Sequence, residues 1–295
     1  MFFPRALTFL DFRKFNLECS FRLLYICGTI VPIMGPSFNL INKKMSGLKD
    51  KVAIVTGGSA GIGLATAKEF VAQGARVVIT GRNQQTLDDA VKELGSETIG
   101  IRADVSNLND TNKLVEQVKS TFGQVDVLFV NAGVALQEPI GQITEAVFDE
   151  VVDTNFKGAV FTTEKFIPIL KDGAAIIHNT SVSAFTFATG TAIYSASKAA
   201  LTAYSKTVSV ELADRKIRVN TIAPAMTETR AIYKGQFSGE EIHAFLKDKI
   251  MPFKRYGEPS EVAKLVAFLA SDDASFISGG EFTIDSGASV NAIRL

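Results

Sequence analysis

The chain has 295 residues, 46% of them hydrophobic, with 31 basic and 31 acidic side chains, a balance that suits one large globular core. Zero net charge offers neither a basic surface for nucleic acid nor an acidic tail. Both cysteines, Cys19 and Cys27, fall near the start and the two histidines, His178 and His243, lie far apart, which disfavours a disulfide scaffold, a thiolate nucleophile and a Cys/His zinc site.

Residues 1–44 differ from the rest: rich in Phe, they carry Arg5, Arg13, Lys14 and Arg22 against Asp11 and Glu18. The apolar run Leu23 to Met34 is broken by Gly28 and Pro32 and falls short of the ~20 apolar residues a membrane-spanning helix needs. Basic residues before a short apolar stretch fit a signal peptide, and basic residues with few acids fit a transit peptide. The plainer expectation is a disordered or mis-assigned leader, with Met45 as the working start and 45–295 as a single domain.

From Leu48 the pattern becomes regular. KVAIVT (51–56), VVIT (77–80), TIGI (98–101), VDVLFV (125–130), AAIIHN (174–179), IRVNTI (217–222) and EFTI (281–284) read as short, nearly all-apolar strands. Amphipathic helical stretches lie between them, as in Glu261 to Ala270 with Val262, Leu265, Val266 and Leu269 on one face. Alternation of this kind predicts an α/β fold, a doubly wound parallel sheet of Rossmann type covered by helices on both faces. No repeat and no Pro/Ser-rich linker divides 48–295.

The first strand runs straight into TGGSAGIG (Thr56–Gly63), whose Gly57, Gly61 and Gly63 allow a tight turn and close backbone approach to a diphosphate, with the helix N-terminus behind it. Gly57, Gly58, Ser59, Gly61, Ile62 and Gly63 are therefore candidate cofactor contacts. The spacing is not that of a nucleoside-triphosphate loop, since no Lys-Ser/Thr follows the last glycine. An acidic residue ending the second strand would bond a ribose 2′-hydroxyl; here stand Arg82 and Asn83, and Arg82 offers a planar fork suited to a 2′-phosphate. NADP(H) is favoured over NAD(H). Nothing basic replaces Ala60 inside the loop, so a second cation for that phosphate is missing from it.

Ser181, Tyr194 and Lys198 then appear in SVSAFTFATGTAIYSASK. If Tyr194 opens a helix, Lys198 stands one turn away on the same face, and helix formers continue to Glu211. A phenol titrates near ~10, and a neighbouring ammonium pulls that value down, so the pair is expected to act as a proton-transfer device. Ser181, arriving from a strand, can hold a carbonyl oxygen beside the phenol.

Together, TGGSAGIG, the NAG of Asn131–Gly133, Asn155 in DTNFKG, Ser181, YSASK (194–198), IRVNTIAPAMTET (217–229) and SGGEFTIDSGAS (278–289) resemble the short-chain dehydrogenase/reductase family, over about residues 48–292. The compact members closest in tone are 3-oxoacyl-carrier-protein reductases and glucose 1-dehydrogenases. The resemblance implies Tyr194 as general acid for ketone reduction or base for alcohol oxidation. It gives Lys198 the phenol and the nicotinamide ribose, Ser181 the substrate oxygen, and Asn155 a water linking Lys198 to solvent. Asp104 and Val105 would flank the adenine, Asn131, Ala132 and Gly133 would line the cofactor ribose, and Thr227 and Thr229 would meet the carboxamide and diphosphate. Ala225 and Ser286 stand where the family usually has Gly.

The resulting expectation is an NADP(H)-dependent oxidoreductase that interconverts a small-molecule ketone and a secondary alcohol, cytoplasmic, needing no metal, nucleic acid or membrane, and homotetrameric through the helices of Asn155 and Tyr194. An NAD(H)-dependent sugar or alcohol dehydrogenase and a catalytically silent dinucleotide-binding regulator are the alternatives. A methyltransferase leaves the Tyr–Lys pair idle. For the substrate side, the loop Ala231 to Arg255 (Tyr233, Phe237, Phe245, Met251, Phe253) with Gln137, Phe185 and Phe187 is expected to line an apolar pocket, with Arg230 and Lys234 on a solvated face. His178 reads as a buried neighbour.

Overall fold

The computed structural model describes residues 47–230, 232–233 and 239–291, with the backbone of 19–26 and 29–36. That backbone forms an antiparallel hairpin of Cys19–Ile26 (β1) and Thr29–Pro36 (β2) within a first unit, Met1–Met45. The remaining expectations for 1–44, and those for Ala231, Lys234 and Phe237, lie outside the described residues.

The second unit, Ser46–Leu295, alternates strand and helix. Its first half runs Val52–Val55 (β3), Gly61–Ala72 (α1), Arg76–Gly81 (β4), Gln84–Leu94 (α2), Ile99–Arg102 (β5), Leu108–Phe122 (α3) and Val125–Val130 (β6). Glu145–Val152 (α4) and Gly158–Phe166 (α5) follow, then Leu170–Asn179 (β7), Ala192–Glu211 (α6) and Arg218–Pro224 (β8). Glu240–Phe245 (α7), Pro259–Ala270 (α8) and Glu281–Ile284 (β9) complete it. The seven strands form one parallel sheet in the order β5-β4-β3-β6-β7-β8-β9. All seven coincide with the strands read from sequence. Most ends shift by one or two residues; the largest shift is at β7, which begins at Leu170 rather than Ala174, because Leu170 pairs with Val125 beyond a register shift and the polar Lys171-Asp172-Gly173 hides the continuation.

The strands read as continuous apolar runs because both faces are covered. Ala53, Val55, Val127 and Phe129 pack with Phe70 of α1, Leu87 of α2 and Val262 and Val266 of α8. The alternate residues Val52, Ile54, Leu128 and Val130 pack with Leu114 and Val118 of α3, Phe166 of α5 and Leu201 and Val208 of α6. Helix α8 starts at Pro259, two residues before the stretch read from sequence, with a reciprocal capping box between Glu258 and Glu261. Chain order reverses between β3 and β6, so their connections leave to opposite sides and open a crevice at the carboxyl edge.

Candidate active site

At the carboxyl end of β3 the chain turns through Thr56–Gly63 into α1. Gly57 and Gly61 hold φ of 65° and 54°, left-handed values that a side chain disfavours. A Cβ on Gly63 would stand 2.2 Å from the Gly57 oxygen, so only glycine lets the loop close on itself there. Ala60, at the N-cap of α1, provides no side-chain bond, and the first turn carries no acid. The helix thus opens on free N–H groups beside a backbone with no Cβ in the way, which fits the diphosphate of a dinucleotide.

Thr56 ties this loop to β6, a role the sequence reading missed. Its Oγ1 accepts from the Asn131 and Ala132 amides at 2.9 and 3.1 Å. Asn131 Nδ2 in turn donates to the Thr56 and Gly57 oxygens at 2.9 and 3.3 Å, and its Oδ1 accepts from Asn179 of β7 at 2.8 Å. The available signal was a hydroxyl residue directly before the glycines and an Asn directly after the fourth apolar strand.

The other expected contacts converge on the same edge. Arg82 is exposed just past β4, and the Asn83 side-chain oxygen accepts from the Thr86 amide as N-cap of α2, which ties that side chain to the helix start. Asp104 turns its carboxylate onto the Ser106 amide and hydroxyl at 3.0 and 2.7 Å. Val105 is buried beside the start of α5. The Thr229 methyl lies 3.2 Å from where a Gly61 Cβ would be, which brings Thr229 over the glycine loop. Thr227 is buried and bridges to Gly257.

Between α4 and α5 the helix widens into one π-turn, Asp153–Lys157, which presents Asn155 inward. Asn155 is buried; its Oδ1 accepts from the Val134 amide and its Nδ2 donates to the Val134 oxygen, both at 2.8 Å, and to Ser197 Oγ at 3.3 Å. A Cβ on Gly133 would meet Asn155 Oδ1 at 3.1 Å and Lys198 Nζ at 3.5 Å. Gly133, Asn155 and Lys198 therefore meet at one point.

Strand β7 delivers Ser181 and α6 delivers Tyr194 and Lys198. Ser181 Oγ accepts from the Ser183 amide at 3.1 Å and stands by the Tyr194 hydroxyl, whose ionised form it favours. Lys198, 5% exposed, donates to the Asn179 oxygen at 2.8 Å, and its Nζ lies 5.9 Å from the Tyr194 ring centre. Burial lowers its pKa to about 8. One expectation is overturned: the Tyr194 phenol is not pulled down. Tyr194 is partly exposed, yet burial raises its pKa and the Ser181 hydroxyl offsets only part of that. Desolvation dominates, and the Lys198 ammonium donates to the Asn179 oxygen rather than to the phenol.

His178 is fully buried, bridging Thr163 of α5 at 2.9 Å and Ser205 of α6 at 2.8 Å, and burial first, then Lys198, lowers its pKa to about 3. It is a neutral interior group. On the substrate side, the expected aromatics do not share one pocket among the described residues. Met251 and Phe253 line a cavity of about 130 Å³ with Met226 and Ile284, whereas Phe187 lines a recess of about 700 Å³ with Pro139, Ile140 and Ala188. Tyr233 stacks instead on His243, and Phe245 is exposed. Ser286, one of the departures from glycine, takes φ 54° and has a buried hydroxyl without a partner, a strain glycine would not carry. No group of metal-ligating side chains occurs among the described residues. No helix there is long and apolar enough to cross a membrane.

A family model described as enoyl-(acyl carrier protein) reductase matches residues 57–289. Among curated proteins, the NADP-dependent (R)-specific alcohol dehydrogenase of Lentilactobacillus kefiri is 35% identical over 247 residues, covering 81% of this chain and 97% of its own. The 3-oxoacyl-acyl-carrier-protein reductase FabG of Thermotoga maritima is 34% identical over 245 residues, 81% of this chain and 98% of its own. Among solved structures, a short-chain dehydrogenase/reductase from Serratia marcescens superposes with a TM-score of 0.77 at 31% identity, over 82% of this chain and 99% of that one.

Proposed function

The chain belongs to the short-chain dehydrogenase/reductase family, and on that premise we propose that it is an NADP(H)-dependent oxidoreductase interconverting a ketone and a secondary alcohol, with Tyr194 as the proton carrier. The observation that carries this reading is the meeting of Ser181, Tyr194 and Lys198 beside the glycine cradle, at the edge where a parallel sheet of this order binds nucleotides.

The residues divide the work as follows. The uncapped start of α1 and Gly57–Gly63 hold the diphosphate, Arg82 faces the adenosine ribose, and Asn131–Gly133 and Lys198 hold the nicotinamide end. When bound, the cofactor supplies or takes the hydride. Ser181 and Tyr194 are two hydroxyl donors that meet on one carbonyl oxygen, so negative charge growing there is received by groups already in place. In the reducing direction the Tyr194 proton moves to that oxygen, and the phenolate left behind shares a helix face with the Lys198 ammonium, whose Nζ lies 5.9 Å from the ring centre. A phenol held above its ordinary pKa keeps its proton until the oxygen demands it, and Lys198 at about 8 remains charged at neutral pH. Asn155 has engaged both ends of its amide with Val134, which leaves the second lone pair of Oδ1 and the main-chain oxygen for any water it holds toward Lys198. The apolar recess beside Phe187 and Ile140 suits a hydrophobic substituent on the substrate. Exposed Phe148, Phe161 and Val210 on α4, α5 and α6 support a homo-oligomer, and we carry forward a cytoplasmic tetramer.

The test is oxidation of NADPH and of NADH by purified protein across a panel of ketones of increasing apolar bulk. Turnover with NADPH on the bulkier ketones is expected. Tight NADPH binding with no turnover on any member would favour the silent regulator, and faster turnover with NADH would favour the NAD(H) alternative.

A further inference from the structure

A 2′-phosphate offers several anionic acceptor oxygens that can engage more than one cation, and the glycine loop provides none, because Ala60 stands where a basic residue could reach it. Parallel pairing of β4 with β5 places Gly81 opposite Arg102, twenty residues on from Arg82. Arg102 Nε donates to the Arg82 oxygen at 3.0 Å, which fixes the guanidinium at the turn that presents Arg82. The rest of its planar fork, four N–H groups on two terminal nitrogens, is left for another acceptor. Both arginines are exposed, and neither enters an ion pair among the described residues.

The neighbouring acids are engaged elsewhere. Asp104 is turned onto Ser106, Asp88 accepts from Gln84, and Asp89 accepts from Gln85. On the loop side, Ser59 Oγ lies 2.9 Å from where a Cβ on Gly81 would be, so the glycine loop reaches the same strand end. Three elements far apart in sequence thus bring the Ser59 hydroxyl and the Arg102 guanidinium to Gly81, directly before the exposed Arg82.

We propose that Arg102 is the second cation of a phosphate-monoester site at the ends of β4 and β5, sharing the adenosine 2′-phosphate of NADP(H) with Arg82. This rests on the NADP(H) reading and sharpens it, since it makes cofactor choice a property of two strand ends rather than of the glycine loop. Arg82 is aimed by its place after β4. Arg102 is aimed by its bond to the Arg82 carbonyl, and that bond also steadies the turn carrying its neighbour.

Calorimetric titration separates the two claims; direct binding is suitable because the chain has no Trp to report on the cofactor. NADPH, NADH and adenosine 2′,5′-bisphosphate are titrated into the full chain, Arg102→Ala and Arg102→Lys, with melting curves for each. Arg102→Ala is expected to weaken NADPH and the bisphosphate about tenfold, the scale of one charge-assisted contact at an exposed site. NADH should stay within about twofold, because it places no phosphate there. Arg102→Lys, which keeps the charge and loses the fork, should fall between. Equal weakening of NADPH and NADH would make Arg102 a structural tie and overturn the inference, as would no weakening at all. Tighter binding of NADH than NADPH by the unaltered chain would instead remove the NADP(H) reading itself, whatever the variants do.

Discussion

Two stretches of the same sheet edge handle positive charge in opposite ways. Past β3, β4 and β5 the chain leaves it open: α1 begins without a cap, and Arg82 and Arg102 lie exposed. Past β7, under α6, it buries it: Lys198 is held against the Asn179 oxygen, and His178 is sealed between Thr163 and Ser205. The open end presents its charge to solvent and is suited to hold a polyanion. The buried end has its proton affinities moved, Lys198 to about 8 and His178 to about 3, and is suited to pass a proton. One edge supplies binding and the other supplies titration because one is solvated and the other is not.

That contrast can be broken at either end. The largest effect is expected from Gly63→Ala, whose new Cβ must displace the Gly57 oxygen 2.2 Å away. NADPH affinity should fall by about a hundredfold or more, with a stability loss of about 1–3 kcal/mol from overpacking, read by calorimetry and thermal melting. Unchanged affinity would mean that the loop does not approach the cofactor.

Next is His178. Its native pKa lies below its unfolded value, so between about pH 6.5 and 3 the unfolded chain takes up a proton that the native chain refuses. Its contribution therefore lowers stability as pH falls through that window, by up to ~1.4 kcal/mol per pH unit. His178→Asn should flatten that part of a denaturant-derived stability profile, and an unaltered slope would deny the buried neutral imidazole.

Ala60→Asp sharpens the comparison by closing the open helix. A side-chain cap should add about 1 kcal/mol to stability while weakening NADPH about tenfold, since the acid takes the place intended for the diphosphate. The mirror change is the smallest. Asn83→Ala removes the cap that α2 does have and should cost about 1 kcal/mol with NADPH affinity within about twofold. A large affinity loss there would restore a direct cofactor role for the Asn83 side chain.

What was legible in the sequence follows from how local each signal is. Seven strands were readable because strands covered on both faces are unbroken β-branched runs, and α6 was readable from Tyr194 to Glu211 because helix formers fill it. The glycine cradle and the Ser181–Tyr194–Lys198 set were readable because loop, strand end and helix turn fix their own geometry. The π-turn at Asp153–Lys157 was not, since one extra residue barely disturbs an amphipathic helix pattern. Arg102 was passed over because only the pairing of β4 with β5 carries it to Arg82. The direction of the Tyr194 shift was misread because spacing gives the distance to Lys198 but not the loss of water around the phenol. The substrate aromatics were grouped by proximity in sequence, whereas the turns after β7 and β8 send Phe187 and Met251 to different recesses.

The most direct test of the buried end as the chemical end is Tyr194→Phe, measured twice on the same preparation. NADPH binding by calorimetry should be retained within about twofold, because the lost hydroxyl stands by Ser181 rather than in the glycine cradle. Ketone-dependent NADPH oxidation should fall by about a hundredfold or more, the usual contribution of a positioned general acid. Retained binding with undiminished turnover would contradict the account at its centre, because the proton would then have to come from a group other than Tyr194.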